Sequence, residues 1–185
     1  EAPPSPLINR YYRPLLEWVY RLEYLAFDFH ASAYHAVNIF LHILNGFLLF
    51  LLISRLGASQ IMASAISAVF LVHPVQVEAV ACVSGISNVL STFFILSGLA
   101  LFISGQRERL PLKMCLGFLC YLASLLTKES SLIVVALWPL IMVAYHFFRL
   151  NTDPEEVRMM RKRGFATLVG LVLTSGIYFF WRRQV

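Results

Sequence analysis

Six apolar runs recur along this chain, and they constrain its fold more than any other feature. The mean hydropathy is +0.72 and only 14% of the residues are charged, values that lie outside the range of an ordinary soluble domain. A helix that crosses a bilayer needs about 20 residues, so the pattern predicts a polytopic, all-α integral membrane protein. The apolar runs of the second and fourth spans are short, and these helices need flanking residues or a thinned bilayer. The six predicted spans cover residues 33–53, 57–73, 83–104, 111–127, 130–148 and 164–181.

The charges of the predicted loops give the spans an orientation. If loops alternate between the two sides, one face receives nine basic residues, whereas the opposite inter-span loops carry only Lys128. Short cytoplasmic loops carry Lys and Arg in excess, so the basic face is predicted to be cytoplasmic. The terminal segments fall on the other face with five arginines, which either bind an anionic partner or count against this topology: Arg10, Arg13, Arg21, Arg182 and Arg183.

Residues 1–31 are predicted to form an extracytoplasmic coil followed by an amphipathic helix at the membrane surface. An apolar stripe with helical spacing is formed by Leu15, Val19, Leu22, Ala26 and Phe29. On the other side, Arg13, Glu17 and Arg21 form an i, i+4 series. A solvated helix on a soluble domain is the alternative. Residues 182–185 form the other extracytoplasmic end. The Pro-rich opening has no cleavable signal pattern, so we expect the chain to be a fragment.

A polar stripe runs along the first predicted span. His35, Asn38, His42 and Asn45 fall within an arc of about 80° at helical spacing. Polar side chains do not face lipid favourably, so the stripe is expected to face other helices or a wet cavity. Hydrogen bonding between helices is the commoner explanation, and His35, near the outer end, is the member best placed to reach a substrate.

Charged residues interrupt the apolar background at two places. His73 and Glu78 flank the Pro74 break after the second predicted span, and Lys128-Glu129 separate the fourth and fifth. Both breaks are predicted to emerge on the extracytoplasmic face. Lys and Arg neutralise phosphate charge, while His or Glu serves as a general base. The breaks therefore suit a lipid-linked phosphate donor, although helix capping is an alternative role for Glu129.

Several other kinds of site lack their patterns. The sequence contains no HExxH or CxxC spacing, no phosphate-binding glycine loop, no Gly-x-Ser-x-Gly turn and no nucleic-acid-binding pattern. No metal ligand is therefore predicted, and a divalent cation remains only an option. The three cysteines, Cys82, Cys115 and Cys120, are interpreted as small packing residues rather than a disulfide framework.

An ordered set of motifs resembles one known family. The set comprises Tyr12-Arg13-Pro14-Leu15, the stripe from Tyr34 to Asn45, His73-Pro74-Val75-Gln76-x-Glu78-Ala79-Val80, Ser84-Gly85 and Lys128-Glu129. It is similar to the membrane module of the transmembrane and tetratricopeptide-repeat O-mannosyltransferases and their bacterial relatives, which are GT-C glycosyltransferases. The resemblance covers about residues 11–131, so the chain is expected to hold a partial GT-C-like core.

The resemblance implies an integral membrane enzyme that takes a sugar from a polyprenyl-phosphate donor on the extracytoplasmic side. The acceptor would be a protein hydroxyl or a glycan, and other membrane subunits are potential partners. The essential acidic residue of the family's first outer loop is expected to lie outside this chain. Within it, the predicted catalytic residues are His73, Glu78 and Glu129. The predicted donor-phosphate and substrate residues are Arg13, His35, Asn88, Lys128, Arg182 and Arg183.

Two departures from the family pattern leave a second function open. Many relatives have an arginine after Ser-Gly, whereas Ile86 follows Ser84-Gly85 here, and the chain contains no tetratricopeptide repeat. A non-catalytic GT-C-like subunit that acts as a scaffold in a larger membrane complex is therefore the alternative, followed by a channel or transporter. The compact loops favour a bacterial inner membrane, with the endoplasmic reticulum as the alternative.

Overall fold

The computed structural model describes residues 12–148 and 154–184, and these residues form helices without any β-strand. The all-α prediction is therefore confirmed for the described part of the chain. Two short 3₁₀ helices, Val83–Gly85 and Glu129–Leu132, lead directly into the fifth and seventh α-helices. The α-helices are α1 (Pro14–Phe27), α2 (Ala31–Leu56), α3 (Gln60–Val72), α4 (Gln76–Ala81), α5 (Ile86–Glu108), α6 (Pro111–Thr127), α7 (Ile133–Phe148) and α8 (Pro154–Gln184).

Four helical segments of the described chain are long and apolar enough to cross a membrane. They are Ala31–Leu56, Val83–Glu108, Glu129–Phe148 and Arg158–Gln184. The helices α3 and α6, with 13 and 17 residues, are apolar but shorter. These two helices coincide with the predicted spans whose apolar runs were short, and the placement of all six in a bilayer stays a prediction.

Helix α5 lies at the centre of the bundle. Within its most apolar window 61% of the residues are buried, against 22–28% in the other three long segments. Phe102 of α5 packs edge-on against Trp138 of α7, and the indole of Trp138 donates a hydrogen bond to the carbonyl of Gly164 in α8. Exposed leucine, isoleucine and phenylalanine side chains cover the outside of the bundle, as expected for a surface that contacts lipid.

The polar stripe of α2 fastens this helix to its neighbours. The Asn38 amide donates to the carbonyl of Cys82, and the Asn45 amide donates to the carbonyl of Val89, both at 2.9 Å. The His42 ring nitrogen Nε2 lies 3.2 Å from the carbonyl of Leu71 at the end of α3. All three side chains are buried. The prediction of hydrogen bonding between helices is therefore confirmed for Asn38, His42 and Asn45.

Helix α1 forms where it was predicted, and its apolar side chains lie on two faces, one packed against the bundle and one exposed. The residues that turn inward are Leu16, Val19, Tyr20 and Glu23, whereas Leu22, Ala26 and Phe29 of the predicted stripe are exposed. The difference is about one residue, or 100° around the helix. Apolar side chains occur on both faces of α1, and lipid accepts an apolar face as readily as protein does, so the spacing did not specify which face packs.

Two further points concern side chains. In the i, i+4 series on α1, Arg13 binds Glu129, and the guanidinium of Arg21 lies 5.7 Å from the ring centre of Trp18. The three cysteines are free thiols, but Cys82 and Cys115 are exposed on the protein surface rather than packed inside it.

Candidate functional site

The break between α6 and the following 3₁₀ helix directs two charged side chains to different partners. Helix α6 ends at Thr127, and Lys128 has an extended backbone (φ −156°, ψ 124°). The Lys128 amide and the Ser131 hydroxyl both donate to the carbonyl of Ser124, which closes the end of α6. Because the backbone is extended at Lys128, the side chains of Lys128 and Glu129 leave the chain on opposite sides.

Glu129 forms a bidentate salt bridge with Arg13. The guanidinium nitrogens Nε and Nη2 of Arg13 donate to the two carboxylate oxygens of Glu129 at 3.0 and 2.9 Å. The two side chains are 23% and 26% exposed, so solvent screens the pair only partly. The two residues lie 116 positions apart. The bridge fixes the start of α1 against the start of Glu129–Phe148, which we call the α7 segment.

The side chain of Lys128 points toward the first helical turn of α5. Its ammonium group donates a hydrogen bond to the side-chain oxygen Oδ1 of Asn88. Arg182, near the end of α8, lies close enough to interact electrostatically with Glu129, and it also interacts with the hydroxyl of Tyr178. We call the group formed by Arg13, Asn88, Lys128, Glu129 and Arg182 the polar end cluster. Its three basic residues and one carboxylate leave it with a net positive charge.

An apolar groove lies next to the polar end cluster. It has a volume of about 250 Å³ and is open between α6, α8 and the start of α1. Tyr12 and Pro14, which line it, flank Arg13 in the sequence, and Tyr178 lies one turn before Arg182. The hydroxyl of Tyr178 also donates to the carbonyl of Tyr12 at 3.4 Å. The groove is lined by Tyr12, Pro14, Leu122, Leu126, Ile177, Tyr178 and Trp181.

His35 and His73 lie in a different cavity, which we call the histidine cavity. It has a volume of about 420 Å³ and lies between α2, the end of α3 and α4, with His42 and Gln76 also in its wall. Nitrogen Nδ1 of His73 accepts a hydrogen bond from the Val75 amide at 3.2 Å. The neutral ring therefore carries its proton on Nε2. The structure thus brings these two predicted residues together, but apart from the polar end cluster.

The structure does not bring Glu78 or Arg183 into either group. Glu78 is exposed on α4, and its carboxylate forms no hydrogen bond or ion pair with another described residue. Gln76 and Val80, two of the α4 residues that line the histidine cavity, lie about 160° from Glu78 around the helix. Arg183 is exposed one residue beyond Arg182. The catalytic assignments of Glu78, His73 and Glu129 stay predictions.

Sequence reasoning missed Glu23, a buried carboxyl group on α1. Glu23 is only 6% exposed, and neither of its oxygens has a hydrogen-bond partner in the part of the chain that the structure describes. Burial raises the pKa of the Glu23 carboxyl above its usual range. The pKa of Tyr20 on the same face is also raised, mainly by burial and to a smaller extent by the nearby charge of Glu23. The seven-residue spacing from Leu16 to Glu23, two helical turns, was the signal that would have placed Glu23 inside.

Replacing Glu23 with glutamine should stabilise the protein near neutral pH. A carboxyl whose pKa is higher in the folded state binds more protons there, so stability falls as the pH rises from the unfolded pKa of about 4.5 toward the raised value. Glu23→Gln removes this loss, and we expect a Tm about 3 °C higher at pH 7.5. Thermal unfolding in detergent between pH 5 and 8 measures it. The exposed Glu17→Gln is the control, and an equal shift in both variants would contradict the burial argument.

Curated proteins resemble this chain along most of its length. The chain is 30% identical over 179 residues to "Protein O-mannosyl-transferase Tmtc1" of Drosophila melanogaster, which is 90% of this chain and 20% of that protein. It is 33% identical over 103 residues to "Protein O-mannosyl-transferase TMTC3" of Homo sapiens, which is 56% of this chain and 11% of that protein. It is 31% identical over 169 residues to "Protein O-mannosyl-transferase Tmtc3" of Drosophila melanogaster, covering 76% and 18%.

These relatives confirm the resemblance that the motifs indicated. The apolar helices and the relatives together identify an integral membrane protein that resembles the GT-C-type membrane glycosyltransferases. Within that class, its relatives are the transmembrane and tetratricopeptide-repeat O-mannosyltransferases. The chain spans about a fifth of the length of the curated relatives it matches, or less. No family model and no solved structure matches it.

Proposed function

We propose that this chain forms part of a membrane glycosyltransferase that transfers a sugar from a polyprenyl-phosphate donor to a protein or glycan acceptor on the extracytoplasmic face. The observation that carries the proposal is the position of the polar end cluster beside the apolar groove. A polyprenyl-phosphate sugar has an apolar chain, a phosphate at the membrane surface and a sugar beyond it. The groove and the cluster match the first two parts in that order.

The cluster supplies the charges that a donor phosphate needs. Lys128 and Arg182 are cationic, and Asn88 and the Arg13–Glu129 pair hold Lys128 and the surrounding helix ends in position. Charge-assisted hydrogen bonds to phosphate are stronger than neutral ones. Among the described residues no group of three or more His, Cys, Asp and Glu could hold a metal ion. A divalent cation would therefore need ligands from the donor or from elsewhere in the protein.

Transfer requires a base as well as a donor site. The acceptor oxygen forms a bond to the sugar's anomeric carbon, the bond from that carbon to the phosphate oxygen breaks, and the leaving phosphate keeps the electron pair. A base takes the acceptor's proton. Glu129 is already bound at both oxygens by Arg13, so its geometry suits positioning better than proton transfer. We therefore assign Glu129 to the donor site and expect the base outside the described residues.

The relatives reduce the number of candidate sugars, acceptors and membrane compartments. Those named here are animal proteins called protein O-mannosyl-transferases, so we propose mannose as the sugar and a protein hydroxyl as the acceptor. An animal origin of the relatives also favours the endoplasmic reticulum over the bacterial inner membrane that the compact loops had suggested.

A transfer assay with the purified full-length protein tests the proposal. We expect it to move radiolabelled mannose from polyprenyl-phosphate mannose to a peptide rich in serine and threonine. Lys128→Gln should reduce transfer about 100-fold, because the loss of two charged hydrogen bonds to the donor phosphate raises the barrier to transfer by about 3 kcal/mol. Lys162→Gln, an exposed change near the other end of α8, should leave the rate unchanged. A folded wild-type protein that neither transfers mannose nor binds the donor would contradict the proposal.

One observation favours the scaffold alternative. Ile86, which stands where many relatives have an arginine, is 1% exposed and packs with Leu16 of α1 and Leu90 of α5. The position therefore serves α1 packing rather than phosphate binding. In a scaffold, donor binding and transfer would both be absent while the complex with other membrane subunits would depend on this fold.

A further inference from the structure

A third cavity, which we call the basic cavity, lies at the opposite end of the bundle from the polar end cluster. It has a volume of about 340 Å³ and is bounded by the end of α5, the start of α6 and the first part of α8. Along α5, Gln106 in this cavity is 18 residues from Asn88 in the polar end cluster. At 1.5 Å per residue the separation is about 27 Å, close to the thickness of a bilayer's hydrocarbon core.

Two arginines give this basic cavity its charge. Arg163 is partly buried and donates a hydrogen bond to the main-chain carbonyl of Gln106 at 2.6 Å, which holds its guanidinium at the wall. Arg109 is exposed and follows the end of α5 with a left-handed backbone (φ 58°), which turns the chain toward α6. Helix α6 begins at Pro111 in the same wall, and its start adds a partial positive charge.

The base of the cavity holds a buried amide that lacks one hydrogen-bond donor. Gln106 is 2% exposed, and its nitrogen Nε2 donates to the hydroxyl oxygen of Thr167 at 2.8 Å. That hydroxyl donates in turn to the carbonyl of Arg163, so it has no hydrogen left for Gln106. This bond distinguishes the amide nitrogen from the amide oxygen, and the oxygen Oε1 has no hydrogen-bond partner among the described residues. A small rotation of the amide would let a ligand hydroxyl donate to this oxygen.

One wall of the cavity continues toward the middle of the bundle as an apolar surface. Met114 and Phe118 lie one turn apart on α6, both partly exposed, and both line the cavity. An apolar chain that starts at the arginines could follow these two side chains toward the membrane interior. The cavity therefore combines cationic groups, an acceptor for a hydroxyl and an apolar path, and these match one amphiphilic molecule.

We propose that the basic cavity binds an anionic phospholipid whose headgroup carries hydroxyl groups, at the membrane face opposite the donor site. Its phosphate lies between Arg109 and Arg163, a headgroup hydroxyl donates to Gln106, and an acyl chain contacts Met114 and Phe118. The site is independent of the proposed transferase activity. Basic pockets between membrane helices on the cytoplasmic side favour such headgroups, and the loop charges predict this face to be cytoplasmic.

Native mass spectrometry of the detergent-solubilised full-length protein, titrated with phosphatidylinositol, tests the proposal. We expect a saturable bound lipid, with phosphatidylcholine at least about tenfold weaker because it has no net charge. Arg109→Asn removes the charge while keeping a residue that tolerates the left-handed backbone. We expect it to weaken phosphatidylinositol binding about tenfold. Arg163→Lys, which loses the planar guanidinium, should also weaken binding, and its Tm separates this effect from misfolding.

The control is Arg161→Gln, an exposed change on α8 outside the cavity wall, which should alter binding less than about twofold. Equal losses for Arg161→Gln and Arg109→Asn would overturn the proposal, because binding would then follow the general charge of this face. Equal binding of phosphatidylserine would overturn the assignment of a hydroxyl-bearing headgroup. Soluble inositol phosphate that binds as tightly as the lipid would overturn the assignment of a lipid.

Discussion

Replacing Gly85 with alanine is expected to destabilise this protein by about 3 kcal/mol. A Cβ atom at Gly85 would lie 2.1 Å from the carbonyl oxygen of Ala79 and 2.7 Å from its carbon. Both are backbone atoms of α4, so no side chain can rotate away. The chain must instead separate α4 from the start of α5, and such overpacking costs about 1–3 kcal/mol in ordinary cores.

Gly176→Ala provides a matched control for this prediction. A Cβ atom at Gly176, inside α8, would lie more than 4 Å from every described atom outside its own stretch of helix. Alanine is favoured over glycine in a helix by up to about 1 kcal/mol, so this variant should be neutral or slightly more stable. Thermal unfolding in detergent measures both. A Gly85→Ala variant within about 1 kcal/mol of the wild type would show that α4 and α5 are not in close contact.

Breaking the Arg13–Glu129 bridge should reduce both stability and transfer. The pair joins α1 to the α7 segment through two hydrogen bonds and is about three-quarters buried. Arg13→Gln or Glu129→Gln removes this charge-assisted pair, and we expect a loss of about 1–3 kcal/mol in the free energy of unfolding. Mannosyl transfer should fall about 100-fold, because the bridge adjoins Lys128 and Arg182 and fixes their geometry.

The reversed pair separates a structural role from a role at the donor site. Arg13→Glu combined with Glu129→Arg restores an ion pair between the two helices, so most of the lost stability should return. The cationic group then lies on the other chain segment, and the donor phosphate would meet a changed arrangement of charge. Transfer should therefore remain low. Recovery of both stability and transfer would show that the bridge is only a tether and lies outside the site.

The sequence predicted the fold well because the bilayer constrains it so strongly. Apolar runs near 20 residues long have few solutions other than helices in a membrane, and the helix ends fell close to the polar breaks at His73 and Lys128. The spacing on α1 did not indicate which face packs against the bundle for the same reason: an apolar side chain such as Leu22 can face lipid as well as protein. Hydropathy therefore identified the helices but not the faces that pack.

The partners of the charged residues required the structure. Arg13 and Glu129 are 116 residues apart, and nothing local indicates that they meet. Asn88 could be predicted near the site from its position in the first turn of α5, but its bond to Lys128 depends on how α5 packs against the end of α6. For His73 and Glu78 the sequence indicated a proximity that the structure does not show. Their motif groups them with Lys128, whereas the structure places His73 in a separate cavity.

The central claim is that the donor's phosphate lies in the polar end cluster and its isoprenoid chain in the adjoining apolar groove. Photo-crosslinking of the full-length protein with a polyprenyl-phosphate mannose that carries a photoreactive group on its first isoprene units tests this claim most directly. We expect crosslinked peptides that contain Leu122 or Leu126 of α6 and Ile177 or Trp181 of α8, and we expect unlabelled donor to compete with the crosslinking. Crosslinks confined to the α2, α3 and α4 walls of the histidine cavity would contradict it.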